Sequence, residues 1–481
     1  MEKMVGIIPA AGKGVRARPY TTLVPKGMLQ IAGKPNLERI ISLMRDSLQI
    51  EDIYIVVGYL GDIIKEYFKD GRQLGVRLHY IENRELDRGL AWSILLAGRK
   101  VDTTCCVILS DECYIDSNHD EILKTPLSHH IATCTVMAVD DPKIIHRNYA
   151  VQLNGSRIVR LVEKPDKVEN NLLGCGTFLL NPPVFDLLEK AFRKSPDNYV
   201  EFVTFLDKLC SQKPGVSCFQ LNGTYVNIND RDSLNLARFY ERNKSFSKKT
   251  ISLILYSEGT EENLPLAVQQ YGKIKAITSI HVVLPHENKI ANTVKGMDVT
   301  FLTCPPSMTL YGEKLKYGMD RVPGDILILA EAAYTFPAHD IDKLLCYLKE
   351  ADMVAGTRTT RQLITRGSDM QGTVRLANIF LAKVLELFWW SYEPRLTDVG
   401  CTFRAVWRSS YEEIKDQLAE RGPALLTEMV IEILRNRNRI VEIPVNYSNK
   451  YQAMHGKYRN YRTFFSIFKV MLKKRLQISS H

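Results

Sequence analysis

Short apolar runs alternate with longer amphipathic stretches along most of the chain. From residue 4 the order is VGIIPA, PNLERIISLMRDSL, DIYIVVGY, GDIIKEYFKDG, VRLHYI, GLAWSILLAGRKV and TCCVILSD. Runs rich in β-branched residues, separated by stretches of helical period, predict a mainly parallel sheet covered by helices. A second cycle starts near residue 250 with TISLILYS and continues through EENLPLAVQQYGKI, SIHVVLP, DVTFLT, GDILILAE, HDIDKLLCYLKEA and DMVAGT. The hydrophilic ARFYERNKSFSKKT, residues 237–250, lies between the cycles as a polar helix and linker. It sets the boundary near Lys244 and gives two domains, 1–243 and 244–481.

Bulk composition agrees with two soluble units. A chain of 481 residues exceeds what one core usually serves, and 45% hydrophobic with 25% charged residues is ordinary for globular domains. No apolar run approaches the roughly 18 residues needed to span a bilayer, and MEKMVGIIPAAG has no long apolar leader region, so the expected location is cytoplasmic. The ten cysteines include no C-x-x-C pair and sit mostly in apolar contexts, which fits reduced core thiols and no structural metal.

Chemistry concentrates directly after the first strand. In IIPAAGKGVRARPYTTLVPKG, residues 7–27, Gly12 and Gly14 let backbone N–H groups approach a ligand, and Arg16, Arg18 and Lys26 suit an anion. The loop sits at the carboxyl end of a strand, where ligands of such sheets bind. Alone, this signal points to a phosphate no more strongly than to an ordinary turn.

The longer segment AAGKGVRARPYTTLVPKGMLQIAGKP resembles the signature of sugar-1-phosphate nucleotidylyltransferases. The resemblance continues in order through GLAWSILLA, VILSD, YAVQLNGSRIVRLVEKP, LLGCGTFLL and GTYVNINDRDSLNLA, over roughly residues 1–240. It implies a transfer in which a sugar phosphate attacks the α-phosphorus of a nucleoside triphosphate and pyrophosphate leaves. Arg16 would then bind the leaving phosphates and Lys26 the α-phosphate region, with Ala10, Ala11, Gly12 and Gly14 keeping the turn open to nucleotide. Asp111 would hold Mg²⁺ together with Asn227 or Asn229, an Asn-containing version similar to the N-acetylglucosamine-1-phosphate uridylyltransferases. Asn83, Gly89 and Leu90 fall where base and ribose are contacted; Tyr149, Glu163, Lys164 and Gly176 fall on the side of the sugar phosphate. Two positions depart from the family: Tyr149-Ala150 replaces Tyr-Gly, and Asn83 stands where Gln is commoner.

The second cycle resembles glycosyltransferase family 2, in its dolichyl-phosphate mannose synthase branch, over about 250–470. The fold class expected from both resemblances is two tandem Rossmann-like domains of the GT-A type, with mainly parallel sheets flanked by helices. Donor-binding carboxylates are depleted: Gly259-Thr260 and Leu284-Pro285 replace acidic pairs, and Glu331-Ala332-Ala333 keeps one carboxylate of the metal motif. Asp398 occupies the catalytic-base position, with Arg358, Arg404 and Arg408 nearby in the motifs; a turn cap with Arg404 as ion-pair partner is the structural alternative. Lys450 stands roughly where the family carries an Arg for lipid phosphate. A non-catalytic second domain is the expectation.

Net charge is +10, and from Asn446 to His481 eight cations face no Asp or Glu. YRNYRTFFSIFKVMLKKRL places Phe464, Phe465, Phe468, Met471 and Leu472 on one helical face and Arg462, Lys469 and Lys473 on another, which suits an anionic membrane surface or a helix packed on its own domain. LELFWW adds Phe388, Trp389 and Trp390 as interfacial anchors. No nucleic-acid-reading module accompanies the charge. Three functions stay open: a nucleotidyltransferase with a silent second domain, a bifunctional enzyme that passes the activated sugar to a polyprenyl-phosphate acceptor, and a nucleotide-sensing scaffold. The sequence leaves the oligomeric state, a homo-oligomer included, undecided.

Overall fold

The computed structural model describes residues 4–124, 130–155, 157–286, 288, 290–366, 368, 370–448 and 461–477. The chain divides into two compact units between Glu241 and Arg242, inside the helix Arg231–Ser245. The polar stretch read as a linker continues this helix, so the division falls two residues before 243/244.

In the first unit nine strands form one sheet among the described residues, in the order Arg77–Glu82, Asp52–Val57, Val5–Ala10, Cys105–Ile108, Leu172–Leu180, Ala132–Ala138, Val216–Gln220, Arg157–Glu163 and Tyr149–Asn154. The first four run parallel. Val5–Ala10 lies in the middle of them and is buried at every position, as a strand covered on both faces must be. Helix Asn36–Asp46 covers it by burying Leu37, Ile40, Ile41 and Met44, a spacing that gathers one face. The other half of the sheet corrects the expectation of mainly parallel strands. Leu172–Leu180 runs antiparallel to Cys105–Ile108, Ala132–Ala138 and Tyr149–Asn154. Tyr149–Asn154 and Arg157–Glu163 form an antiparallel pair across a loop too short for a crossover helix.

The second unit has a seven-stranded sheet among the described residues, ordered Thr300–Thr303, Ser279–Leu284, Ile251–Tyr256, Ile326–Glu331, Arg404–Trp407, Met353–Thr357 and Ile440–Pro444. Only Arg404–Trp407 runs against its neighbours. The terminal helix Tyr461–Leu476 packs on this unit with Ile467, Val470 and Met471 buried, and Lys474 donates to Glu428 at 2.8 Å and Glu432 at 2.7 Å. The buried face is therefore turned away from the one expected: Phe465 and Leu472 are exposed, whereas Phe464 and Phe468 are partly covered. Trp389 is likewise fully buried while Trp390 is exposed. Lys450, Lys457 and Arg459 lie outside the described residues.

Candidate functional site

The loop after Val5–Ala10 opens at the carboxyl end of the parallel strands. Gly14 has φ +59°, a left-handed conformation that its missing Cβ makes cheap. Gly12 is different, because a Cβ there would meet nothing within 4 Å. Packing inside the protein does not require glycine at position 12, whereas close approach of a ligand would.

A two-stranded ribbon completes the site. Thr224–Asn227 pairs antiparallel with Glu112–Ile115, and the Ile228 N–H donates to the Asp111 carbonyl at 2.8 Å. This pairing lays Asn229 beside Asp111. The Lys26 ammonium donates to the Asp111 carboxylate and, at 2.9 Å, to Asn229 Oδ1. Arg16 Nη2 donates to the same oxygen at 2.9 Å. Behind it, Asn229 Nδ2 donates to Asn227 Oδ1 at 2.8 Å, and Asn227 Nδ2 to Asn148 Oδ1 at 2.9 Å. The glycine-rich loop thus meets the ribbon on the Asn229 carboxamide, and Lys26 ties Asp111 to the same cluster.

Asp111 and Asn229 present two hard oxygen donors side by side, the kind of partial set Mg²⁺ takes when phosphate and water oxygens complete its shell. Both carboxamide oxygens accept hydrogen bonds here, Asn229 Oδ1 from Arg16 and Lys26 and Asn227 Oδ1 from Asn229, but Asn229 lines the cleft whereas Asn227 stands behind it. Among the described residues no group of three or more His, Cys, Asp or Glu could hold a metal ion. A metal at this site would depend on the ligand's oxygens.

Arg16, Lys26, Asp111 and Asn229 line a cleft of ≈ 400 Å³, together with Ala10, Ala11, Gly12, Gly14, Asn83, Gly89 and Leu90. Asn83 is buried and doubly held: its amide donates to Ser93 Oγ at 2.9 Å and its carbonyl accepts the Glu85 N–H at 2.9 Å. Gly89 has φ +79° and starts the helix Gly89–Gly98 on the cleft wall.

The sugar-side residues lie outside that lining. Glu163 ends its strand opposite Tyr149 and sits 3.4 Å from the Lys164 ammonium. Burial, with Glu201 near, raises the Glu163 carboxyl above its usual range, against the pull of Lys164 and Arg16. Tyr149 is 5% exposed, and its hydroxyl donates to the Cys175 carbonyl at 2.9 Å. Its ring fills the space beside Gly174, where a Cβ would come within 1.9 Å of it. Gly176 leaves room for a carboxylate: a Cβ would stand 2.5 Å from Glu112 Oε1.

Three participants escaped the sequence reading. Ser93 lines the cleft behind Asn83. Asn36 Nδ2 donates to the carbonyls of Ser110 at 3.0 Å and Glu112 at 2.9 Å, which fixes the backbone on both sides of Asp111. Glu112 is buried, and burial followed by the charge of Asp111 pushes its carboxyl up to about 8. Ser93 is a single polar residue inside the apolar GLAWSILLA, the one signal available for it, whereas Asn36 in KPNLER and Glu112 in SDECYI stand among other polar residues and nothing local marks them.

In the second unit Asp398 is fully buried and held bidentately by Arg358, at 2.8 and 2.9 Å, not by Arg404. Asn378 and the Gly400 N–H donate to it as well. Burial raises this carboxyl, but Arg358 and these donors hold it below the usual carboxylate range. Removing one member of such a pair costs about 3–5 kcal/mol, because the other charge stays buried. Arg404 donates to the carbonyls of Leu426 and Cys401. Glu331 accepts hydroxyls from Thr335 at 2.9 Å and Thr402 at 3.0 Å. The buried Lys314 donates to Glu258 at 2.9 Å, an internal cation the sequence reading missed.

The family model described as nucleotidyl transferase matches residues 5–243. Bifunctional protein GlmU of Methanococcus aeolicus is 31% identical over 227 residues, 47% of this chain and 51% of that protein. UTP–glucose-1-phosphate uridylyltransferase AglF of Haloferax volcanii is 28% identical over 232 residues, 48% of this chain and 94% of that protein. A solved UDP-glucose pyrophosphorylase complexed with UDP-glucose is similar over 50% of this chain and 99% of its own, at 21% identity and TM-score 0.43. The chain spans about half the length of the GlmU relative. Its N-terminal half carries a nucleotidyl transferase domain that resembles the sugar-1-phosphate nucleotidyltransferases, and these relatives support an enzyme of that kind.

Proposed function

We propose that the first unit is a Mg²⁺-dependent nucleotidyltransferase that joins a nucleoside triphosphate to a sugar 1-phosphate, or to a related phosphorylated alcohol, and releases pyrophosphate. The observation that carries this reading is the cluster in one cleft in which Arg16 and Lys26 both donate to Asn229 and Lys26 also holds Asp111. The relatives' names make UTP the first triphosphate to try.

A phosphate oxygen of the sugar attacks the α-phosphorus while the bond to the β-phosphate oxygen breaks in line. The nucleophile is already ionised, so the site needs no general base; it must position the reactants and neutralise charge. Lys26 meets the charge that grows on the α-phosphoryl oxygens, and Arg16 meets the leaving pyrophosphate. Asp111 and Asn229 would hold Mg²⁺, which would supply positive charge to offset that of the phosphates. Asn36 and Asn227 keep these ligands in place, while Glu163 and Lys164 recognise the sugar hydroxyls and its phosphate from outside the nucleotide cleft.

The second unit is read as glycosyltransferase-like and non-catalytic. Its supports are carboxylates that are both buried and already bound, Asp398 by Arg358 and Glu331 by two hydroxyls, unlike Asp111, which pairs with Lys26 but lines an open cleft. A peripheral place on the cytoplasmic face of a membrane belongs to the same reading.

The test is pyrophosphate release from the full chain with each nucleoside triphosphate and a panel of sugar phosphates under Mg²⁺. One pair should be turned over, and chelation should stop it. Silence with every pair would replace this function with nucleotide sensing.

A further inference from the structure

Helix Gly372–Phe388 is apolar on two sides. Leu381, Ala382 and Leu385 enter the core of the second unit. On the opposite side Leu376, Phe380 and Leu387, with Trp390 just past the helix, are 56–68% exposed. Those positions fall on one helical face, and the exposed positions between Thr373 and Trp390 on that face include no carboxylate. A helix buried on one side should be polar on the other, so an apolar outer face marks a second contact.

The terminal helix extends this face. Phe380 stacks on Phe464 with ring centroids 6.3 Å apart, and Phe464 meets Phe465 edge-on at 5.6 Å. Phe465 and Leu472 are exposed beside them. Cations dominate beside this apolar ridge: Arg462, Lys469, Lys473 and Arg475 are exposed on Tyr461–Leu476, a helix without any Asp or Glu, against Glu393 past Trp390 and Glu420 near Lys469 and Lys473. Arg395 lies 5.6 Å from the Trp390 ring centre.

We propose that this ridge, formed by the Gly372–Phe388 and Tyr461–Leu476 helices, seats the second unit on an anionic membrane surface. The inference deepens the peripheral-membrane part of the proposed function and does not depend on its chemistry. Apolar side chains rimmed by cations are the two signals that together hold a protein in the lipid interface, and each cation near an anionic leaflet adds to the attraction. Trp390, with a wide ring and a polar N–H, suits the headgroup level. Among the described residues no helix is long and apolar enough to cross a membrane. The ridge therefore lies on the bilayer.

The test is sedimentation of the full chain with phosphatidylcholine vesicles, with and without phosphatidylglycerol. Wild type should pellet with the anionic vesicles, and high salt should weaken this. The double variant Phe380→Ser/Leu387→Ser should lower the partition coefficient about tenfold or more. Lys469→Glu/Lys473→Glu should lower it on anionic vesicles alone. Binding should also shift the fluorescence of Trp390 to the blue, a shift lost in Trp390→Phe, which reads the ridge without disturbing the fold. Pyrophosphate release in solution should match wild type in all three variants; a chain without that activity would still report vesicle binding. Wild type left in the supernatant with both vesicles, or pelleting that none of the variants changes, overturns the proposal. So does a wild-type dimer that Phe380→Ser/Leu387→Ser converts to monomer, which would assign the ridge to a second copy.

Discussion

At the scale of single residues, Gly12 and Lys26 separate ligand contact from structural need. Gly12 is surrounded by open space, so Gly12→Ala should leave the melting temperature unchanged while weakening nucleotide binding, read by calorimetry with UTP and Mg²⁺. Lys26 faces Asp111 in the protein and, in the proposed reaction, would face the α-phosphate. Its replacement by Ala should lower turnover by about two to three orders of magnitude, the usual loss for a charge contact made in the transition state. If the alanine at position 12 destabilised the fold and spared binding, the loop would be structural. Unchanged turnover without Lys26 would move the reacting centre elsewhere.

Among elements, the ribbon formed by Glu112–Ile115 and Thr224–Asn227 carries a built-in pH dependence. Glu112 titrates near 8 when folded, well above a carboxyl in the unfolded chain, so folding binds a proton. Its contribution to stability is complete below the unfolded value, falls as pH rises from about 4.5 to about 8, and is then constant. Denaturant unfolding of metal-free protein across that range should show a decline that Glu112→Gln flattens. An identical slope in the variant would place the proton on another group.

This ribbon also shows what the sequence could and could not reveal. The parallel strands and the glycine loop were legible because apolar runs and turn residues are local signals. Antiparallel pairing of Leu172–Leu180 with three neighbours was not, since an apolar run does not state its direction. Helix phase failed in LELFWW for a related reason: six positions with one charge carry no periodicity, so Trp389 and Trp390 could not be told apart. Asn83, Gly89 and Asn229, which line one cleft, were named through motif order. Ser93, Asn36 and Glu112 answer to neighbours in space, and motif order is silent about those.

At the scale of the whole molecule, the two units are expected to respond to different ligands. UTP with Mg²⁺ should slow amide hydrogen exchange in peptides from residues 8–29, 83–93 and 224–229, and leave those around Glu331 and Asp398 unchanged. Nucleotide sugars with Mn²⁺ should not protect the latter either, because their carboxylates already have partners. Protection around Glu331 would make the second unit a working transferase and the chain bifunctional. The neutral carboxamide at position 229 has one more effect, on the speed of capture. With Asn229 uncharged, the charged residues lining the cleft are Arg16, Lys26 and Asp111, an excess of one positive charge before any metal arrives. On the proposed function a triphosphate should therefore be drawn in from a distance, and its association should slow as salt is added. Asn229→Asp would cancel the excess, so stopped-flow association of a fluorescent triphosphate should become both slower and less sensitive to ionic strength.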